Sequence, residues 1–320
     1  MASLMTQPSL KSVLRAWGDK DYTVVQSEMK QLHFRNTFKP KHWRELTHTQ
    51  RHTVLYPHMF LKDKRDGEIK GRAVDGGNKQ RDYISKEYAS SPTVATKEVL
   101  LSCIIDAGEE RYVAVIDIPN AFIQTQVEDE KDMEFIKIRG VLVDILVEIS
   151  LDVYKLQVKT DKKGMEKLLV QCQNALYGTM VASLLYYRKF TKSLTDIGFK
   201  IKPYNPCVAN KMIDGKQMTI CYHVDDCKLS HRRSKVNDQI IKWLRQEHES
   251  ISEDGSGKTT VSRGKVHKYL GMTLDYTFRG QVQITMIDFL DEVLTAFDKA
   301  EPKGGGTKTS AAPENLFKAD

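Results

Sequence analysis

The sequence has few cysteines, and their arrangement suits neither a zinc site nor a disulfide scaffold. Five cysteines are scattered over 320 residues, and no two of them are separated by two residues. A structural zinc site needs closely spaced ligands and a disulfide-rich domain needs a denser, even set, so both are disfavoured. The protein is therefore expected to occupy a reducing compartment inside the cell.

Membrane and secretory features are also missing. No apolar run approaches the ~20 residues that span a bilayer. The amino terminus lacks the charged and then apolar pattern of a signal peptide. The sequence therefore predicts no membrane contact and no secretion.

Repeats are missing too, and low-complexity sequence is confined to residues 302–308. This Gly- and Lys-rich stretch follows the last predicted helix and is typical of a flexible linker. Hydrophobic residues make up 40% of the chain. The rest of the chain is long enough to form two or three packed subdomains.

Charge is present but unevenly distributed. The net charge is +7; residues 39–81 contain 11 Lys and Arg against 5 Asp and Glu, and residues 228–268 contain 10 against 5. Residues 106–152 reverse this balance with 12 acidic and 4 basic residues. Two basic blocks around an acidic one suit a protein that binds a polyanion on its outer parts and cations at its centre. The alternative is a pair of solvated charged faces.

Hydrophobic periodicity and turn residues predict interleaved helices and strands. The predicted helices are Leu4–Trp17, Tyr22–Phe34, Thr96–Glu109, Leu142–Ile149, Ala182–Ile197, Lys235–Glu247 and Met286–Phe297. The predicted strands are Tyr112–Ile118, Glu134–Ile138, Leu168–Cys172, Lys268–Tyr276 and Gln281–Thr285, with a further hairpin across Met59–Arg72 that turns at Asp66 and Gly67. The buried face of the 96–109 helix is predicted to contain Val99, Leu100, Cys103, Ile104 and Ala107. Because strands and helices do not alternate regularly, an α+β fold is predicted.

Two adjacent carboxylates occupy the turn of an apolar hairpin pattern at 218–230. Asp225 and Asp226 repel each other there, and their pKa values rise unless a cation neutralises them. A bound divalent metal ion is one way to neutralise this repulsion, because hard oxygen ligands suit Mg²⁺. The alternative interpretation is an ordinary turn in which water solvates both Asp side chains.

A third carboxylate, Asp117, ends the apolar strand that begins at Tyr112. Phosphoryl transfer assisted by two metal ions needs carboxylates from separate elements that converge on cations about 4 Å apart. A strand end and a hairpin turn can supply that arrangement. Asp117 therefore favours a metal site over a solvated turn.

Four motifs in a fixed order resemble a known family. They are Asp117 followed by Phe122, then residues 175–178 (ALYG), then residues 223–226 (HVDD), and then residues 269–272 (YLGM). This order resembles the reverse transcriptase of copia-type LTR retrotransposons, and more narrowly the copia-like elements of diatoms. The resemblance covers about residues 10–300.

The resemblance implies a right-hand polymerase fold with fingers, palm and thumb and an antiparallel palm sheet. Asp117, Asp225 and Asp226 match the catalytic carboxylates, which would bind two Mg²⁺ ions, with Mn²⁺ as a substitute. The implied activity is RNA-directed DNA polymerisation with an RNA or DNA template, a DNA primer and dNTPs. The implied location is the cytoplasm, in a virus-like particle, or the nucleus.

The resemblance also assigns nucleotide-binding residues. Phe122 matches the ring that rejects a ribose 2′-hydroxyl, although a core aromatic would look the same in the sequence. The other assigned positions are Lys64, Lys70 and Arg72 for the triphosphate, and Tyr177 and Gly178 beneath the nucleotide. A basic hairpin is also often merely solvated.

The implied domains follow the motifs along the chain. Residues 1–51 are a helical leader, 52–234 are fingers and palm, and 235–301 are the end of the palm, the primer grip and the thumb. Residues 302–320 are a linker truncated before an RNase H domain. The primer grip is assigned to Tyr269, Leu270, Gly271 and Met272.

The sequence departs from the family pattern at two places. His223 stands where Tyr is usual, and residues 180–184 (MVASL) replace a segment with Lys and Arg. Two hypotheses follow. The chain is either a polymerase fragment of a retrotransposon polyprotein or an inactive remnant that only binds nucleic acid.

Overall fold

The computed structural model describes residues 19–63, 69–251 and 257–300. Its helices are α1 (Asp19–Phe34), α2 (His48–Thr53), α3 (Lys86–Ala89), α4 (Thr96–Gly108), α5 (Val141–Ile149), α6 (Leu151–Tyr154), α7 (Ala182–Asp196), α8 (Ser234–His248) and α9 (Ile287–Ala300). Its strands are β1 (Phe38–Pro40), β2 (Pro57–Asp63), β3 (Ile69–Asp75), β4 (Tyr112–Asp117), β5 (Phe135–Arg139), β6 (Lys159–Thr160), β7 (Glu166–Cys172), β8 (Lys200–Lys202), β9 (Asn205–Ile213), β10 (Lys216–His223), β11 (Asp226–His231), β12 (Thr260–Ser262), β13 (Val266–Tyr269), β14 (Met272–Asp275) and β15 (Gln283–Thr285).

The largest sheet has six strands in the order β12-β4-β11-β10-β9-β8, and every pair is antiparallel. Side chains alternate between its faces. One face, which includes Ile116 and Leu229, packs against α7 and α8 in the main hydrophobic core. The other face, which includes Val113 and Val115, packs against α4 and the β13-β14-β15 sheet. This sheet corresponds to the antiparallel palm sheet that the sequence predicts.

A second sheet, β1-β7-β5 with β6 paired to β7, carries α1 and α5 on one face. The β2-β3 hairpin lies nearby, and α1 contacts β3. We call this region the fingers. The predicted domain boundaries stay predictions, but β1 joins residues 38–40 to the same sheet as β5 and β7.

The third sheet corrects the predicted strand Lys268–Tyr276. That segment is a hairpin of β13 and β14, with Leu270 and Gly271 as its turn. Both turn residues have positive φ, 49° and 78°. Such a turn matches the twist of two antiparallel strands and reverses the chain, which a single strand cannot do.

The buried face predicted for α4 is partly wrong. Ile104 is 60% exposed and Leu100 36% exposed. Asp106 is fully buried instead, because it accepts hydrogen bonds from Lys228 and Ser230 of the palm sheet. Val99, Cys103 and Ala107 are buried as predicted.

The remaining predicted helices and strands lie within a few residues of those observed, and the α+β class is confirmed. The sequence prediction missed β1, β6, β8, β9 and β12, together with the short helices α2, α3 and α6. The predicted helix Leu4–Trp17, the turn at Asp66 and Gly67, Lys64 and the linker at 302–308 lie outside the described residues. In the described parts of the chain, no helix combines the length and apolar character that crossing a membrane requires.

Candidate active site

The pairing of β4 with β11 brings two of the three predicted carboxylates together. Asp117 is the last residue of β4, Asp226 is the first residue of β11, and the two stand opposite each other in the antiparallel register. Residues directly opposite share a face of the sheet. Asp225 precedes Asp226 in the turn, and its carbonyl oxygen accepts a hydrogen bond from the Ile118 amide at 3.1 Å. The three carboxylates therefore come from a strand end and an adjacent turn, as predicted.

The turn that carries Asp225 has a strained backbone. His223 pairs with Asp226, so Val224 and Asp225 form a two-residue turn. Val224 has a φ of 54°, a left-handed conformation that a β-branched residue rarely adopts. Backbone strain of this kind persists only where the surrounding structure fixes it. Here the β10-β11 and β4-β11 pairings fix it on both sides.

Burial and neighbouring carboxylates destabilise the charged forms of Asp225 and Asp226. Burial raises the pKa of Asp226 to about 6, and the charges of Asp225 and Asp117 add to this shift. Burial also raises the pKa of Asp225, and the charge of Asp117 adds to this, whereas a backbone hydrogen bond, Arg72 and His223 act in the opposite direction. A bound cation would relieve this repulsion.

The donor set fits a divalent cation by its chemistry. Carboxylate oxygens are the ligands that Mg²⁺ prefers, and two of the three residues face each other across one strand pair. Among the described residues, no three His, Cys, Asp or Glu side chains already stand at ligand distances around one point. The repulsion among the Asp residues is therefore the observation that supports a cation here.

An aromatic cluster lies beside the carboxylates. The rings of Phe122 and Tyr177 are 5.1 Å apart between centroids, and Tyr186 lies 6.3 Å from Phe122. The Arg72 guanidinium lies 5.0 Å from the centroid of the Tyr177 ring. Burial raises the pKa of Tyr177 to about 12, and the charges of Asp225 and Asp117 contribute to that shift. Three predicted nucleotide-binding residues, Phe122, Tyr177 and Arg72, thus meet at the carboxylates.

Gly178 connects this cluster to the fingers. A side chain on Gly77 would overlap the carbonyl oxygen of Gly178, so the two backbones approach closely. Gln80 strengthens the contact, because its Oε1 accepts a hydrogen bond from the Met180 amide at 2.7 Å. Lys70 lies on β3, and its side chain is outside the description, as is the whole of Lys64.

The primer-grip assignment divides into two kinds of residue. Tyr269 and Met272 are buried, and the Tyr269 hydroxyl donates a hydrogen bond to the Cys221 carbonyl at 3.0 Å. Leu270 and Gly271 form the turn, which Phe289 of α9 approaches. Of these four residues, only Leu270 and Gly271 are available for contact with a ligand. Tyr269 and Met272 attach the turn to the palm.

Sequence reasoning missed two residues near the carboxylates, Thr260 and Glu28. Thr260 of β12 pairs with Asp117 from the other side. Glu28 of α1 is buried, accepts a hydrogen bond from the Ala73 amide at 3.2 Å, and contributes to the raised pKa of Tyr177. Both positions depend on contacts between distant segments, so no local pattern in the sequence could have indicated them.

The chain belongs to the reverse transcriptase (RNA-dependent DNA polymerase) family, whose profile matches residues 40–310. It is therefore an RNA-directed DNA polymerase by descent. It is similar to the transposon Ty1-DR1 Gag-Pol polyprotein of Saccharomyces cerevisiae, with 21% identity over 306 residues. This alignment covers 94% of the chain and 16% of the relative. The truncated transposon Ty1-A Gag-Pol polyprotein of the same yeast is 21% identical over 92% of the chain and 22% of its own length.

These matches confirm the resemblance to copia-type reverse transcriptases. The chain spans less than a quarter of the length of these curated relatives. Among solved structures, a telomerase from Candida albicans in complex with a fragment of telomeric RNA is similar with a TM-score of 0.43 and 12% identity, covering 88% of this chain and 55% of that one. An apo telomerase from Candida tropicalis has a TM-score of 0.41 and 11% identity, covering 83% and 52%.

Proposed function

We propose that this chain extends a DNA primer on an RNA or DNA template by adding dNTPs to the primer 3′-hydroxyl. The observation that supports this most directly is the meeting of Asp117 and Asp226 across β4 and β11, with Asp225 in the adjoining turn. The location that suits this activity is the cytoplasm, within a virus-like particle, or the nucleus.

In this proposal Asp117, Asp225 and Asp226 hold two Mg²⁺ ions, for which Mn²⁺ can substitute. When bound, the ions lower the pKa of the primer 3′-hydroxyl and stabilise charge on the leaving pyrophosphate. The chain itself fixes where the carboxylates stand, through the β4-β11 register and the turn at Val224. No nucleophilic side chain is required for this chemistry.

The aromatic cluster is proposed to receive the incoming nucleotide. Phe122 would lie against the sugar and leave no space or hydrogen-bond partner for a 2′-hydroxyl. Arg72 would contact the triphosphate, since a guanidinium binds phosphate oxygens in pairs. Tyr177 and Gly178 would lie beneath the base, and Leu270 and Gly271 would contact the primer end.

A primer-extension assay tests the proposal. Wild-type protein should extend a labelled DNA primer on RNA only when Mg²⁺ or Mn²⁺ is present, and Asp225→Asn should abolish extension. Asp214→Asn is the matched control, because Asp214 is an exposed turn residue at the opposite end of β10, where it pairs with Arg233. Extension that survived Asp225→Asn would remove Asp225 from the proposed metal ligands.

The second candidate function is nucleic-acid binding without polymerisation. It is favoured by residues 180–184, where Val181, Ala182 and Leu184 are buried in the fold and present no cationic side chain. This function predicts salt-dependent binding of a template–primer with no incorporation under any divalent metal. Incorporation by wild-type protein would exclude it.

We also propose that the diatom copia-like elements are the nearest kin of this chain. The support is His223, which stands where Tyr is usual in the family, together with the segments IPNAF (118–122), NPCVANK (205–211) and RGKVH (263–267), which match the copia-type pattern. A sequence tree of copia-type reverse transcriptases that separated the chain from the diatom elements would contradict this.

A further inference from the structure

The fingers sheet has a second face, turned away from α1 and α5. Ile136 and Ile138 of β5 point into the α1–α5 core, so Lys137 and Arg139 point to the opposite face. Residues 54–56 pair with β5 along the edge of the sheet, since the Lys137 amide donates to the Leu55 carbonyl at 2.9 Å. This pairing places Tyr56 next to the cations of β5.

Aromatic rings and cations alternate across that face. Lys137 lies 4.2 Å and Arg51 5.9 Å from the Trp43 ring centroid. Arg139 lies 4.1 Å and Lys79 4.8 Å from the Tyr56 ring centroid. We call this set the outer stripe; its members are Trp43, Arg51, Tyr56, Lys79, Lys137 and Arg139.

The charge of the outer stripe is not neutralised by neighbouring acids. Within the described residues, none of its four cations forms an ion pair, whereas the adjacent Lys41 and Lys167 pair with Glu45 and Asp161. Partial burial lowers the pKa of Lys137, and repulsion from Arg139 and Lys167 lowers it further. A groove of about 680 Å³ continues the surface past Lys159. The face therefore has an excess of positive charge that an anionic partner would balance.

The outer stripe reaches the candidate active site at one end. Lys79 belongs to the short 3-10 turn at 77–82, and that turn contacts the nucleotide cluster through Gly77 and Gln80. Trp43, 42% exposed, lies at the other end. A strand that follows the stripe would thus run from the nucleotide cluster to the outside of the fingers.

We propose that the outer stripe binds a single-stranded polynucleotide. Trp43 is exposed and Tyr56 is partly exposed, and such rings stack on unpaired bases of any sequence while the interleaved cations contact the phosphates. A duplex offers no free base faces to Trp43 and Tyr56, and an acidic peptide offers none either. The strand is the part of the template not yet copied; this identity rests on the proposed polymerase function, whereas binding does not.

Removal of the two rings tests the proposal. Binding of a labelled oligouridine of about 12 nucleotides is measured by fluorescence anisotropy without dNTPs. The double variant Trp43→Ala/Tyr56→Ala should bind at least about tenfold more weakly, because it removes both surfaces on which bases would stack. Tyr204→Ala is the matched control, since Tyr204 is 90% exposed on the β8-β9 turn and outside the stripe. Trp43→Phe, which keeps a ring, should retain most of the affinity.

Charge removal provides a second measurement that does not depend on the rings. Lys137→Gln/Arg139→Gln should reduce the slope of log affinity against log salt by about one to two. Unchanged oligouridine affinity in both double variants would overturn the proposal. Equal weakening of a blunt duplex, or preferential loss of binding to a polyglutamate peptide, would overturn the assignment to a single strand.

Primer extension separates this proposal from the proposed function. On a template that ends at the copied base, the ring double variant should extend like wild type; on a template with a long 5′ overhang it should extend less. If wild-type protein extends neither template, the polymerase proposal fails and the binding result stands. If the ring double variant loses extension equally on both templates, the outer stripe is not the path of the uncopied strand.

Discussion

Phe122 is the single residue on which sugar selection would depend. Its ring is half-buried against Tyr177 and Tyr186 at the carboxylates. Phe122→Val should open space for a 2′-hydroxyl and reduce the preference for dNTPs over rNTPs by about tenfold or more. The measurement is the ratio of kcat/KM values in single-nucleotide extension.

Phe122→Tyr is the matched variant, because it keeps the ring and should keep most of the preference. Unchanged sugar selection in Phe122→Val would identify Phe122 as a packing residue only.

His248 predicts how the stability of the protein depends on pH. Burial lowers the pKa of His248 to about 4, and the nearby charge of Lys189 contributes. The unfolded chain takes up a proton near pH 6.5 while the folded chain does not, so stability is lost as pH falls from about 6.5 towards 4. Between pH 7 and pH 5, this histidine should cost roughly 2 kcal/mol of unfolding free energy.

His248→Phe should remove that part of the pH dependence, measured by urea unfolding at both pH values. An equal loss in wild type and variant would contradict the assignment to His248.

For single residues, the sequence identifies candidate metal-binding side chains better than it predicts how deeply a side chain is buried. Adjacent carboxylates in an apolar hairpin are visible in one segment, so Asp225 and Asp226 could be singled out directly. The burial of His248 results from packing against Phe190 of α7, which no local pattern encodes. The functional roles of the three Asp residues stay predictions.

At the scale of elements, a buried ion pair joins α4 to the palm sheet. Lys228 Nζ lies 2.5 Å from Asp106 Oδ2, and both side chains are almost fully buried. Burial alone would lower the pKa of Lys228, but Asp106, Cys221 and Cys103 together outweigh it and the pKa is raised. Lys228→Met should cost up to about 3–5 kcal/mol, because the buried carboxylate loses its nearer cation and keeps only Arg111, whose Nη1 lies 3.8 Å from Asp106 Oδ1. Chemical denaturation measures the loss.

The double variant Lys228→Met/Asp106→Leu should be more stable than Lys228→Met alone, since the buried carboxylate is removed and Arg111 still pairs with Glu109. A double variant whose cost equals the sum of the two single costs would show that the pair is not coupled.

This pair also explains why the face of α4 was only partly predictable. Leu100, Leu101, Ile104 and Ile105 make the helix apolar on several sides, so periodicity does not select one face. The partner of Asp106 is 122 residues away along the chain. Strand β9 was missed for a related reason, because its position is set by pairing with β10 rather than by a pattern of its own.

At the scale of the whole molecule, fingers and palm meet at two glycines. Gly77→Ala should force the 77–82 turn away from Gly178 and cost about 1–3 kcal/mol, as overpacking does. It should also raise the KM for dNTPs, because the nucleotide cluster lies at that contact.

Gly108→Ala is the control, since nothing lies within 4 Å of a side chain there. Its stability should change by less than about 1 kcal/mol. A Gly77→Ala variant with wild-type stability and KM would show that the contact is not needed.

The overall architecture was largely predictable and its surfaces were not. The α+β class and most strands follow from hydrophobic patterns that are local to each element. The outer stripe combines residues 43–56, 79 and 137–139, which only the fold brings together. The basic block at 39–81 indicated a polyanion but could not indicate alternating rings.

The opposition of Asp117 and Asp226 has a consequence for the decay of retroelement copies. Side chains alternate along β4 and β11, so gain or loss of one residue within either strand turns a carboxylate towards the face that packs against α7 and α8. The same change in the turn at 214–215 leaves both carboxylates in place. Given the metal-binding role proposed for these carboxylates, single-codon insertions or deletions in these two strands would mark inactive copies in a genome, even where the reading frame is intact.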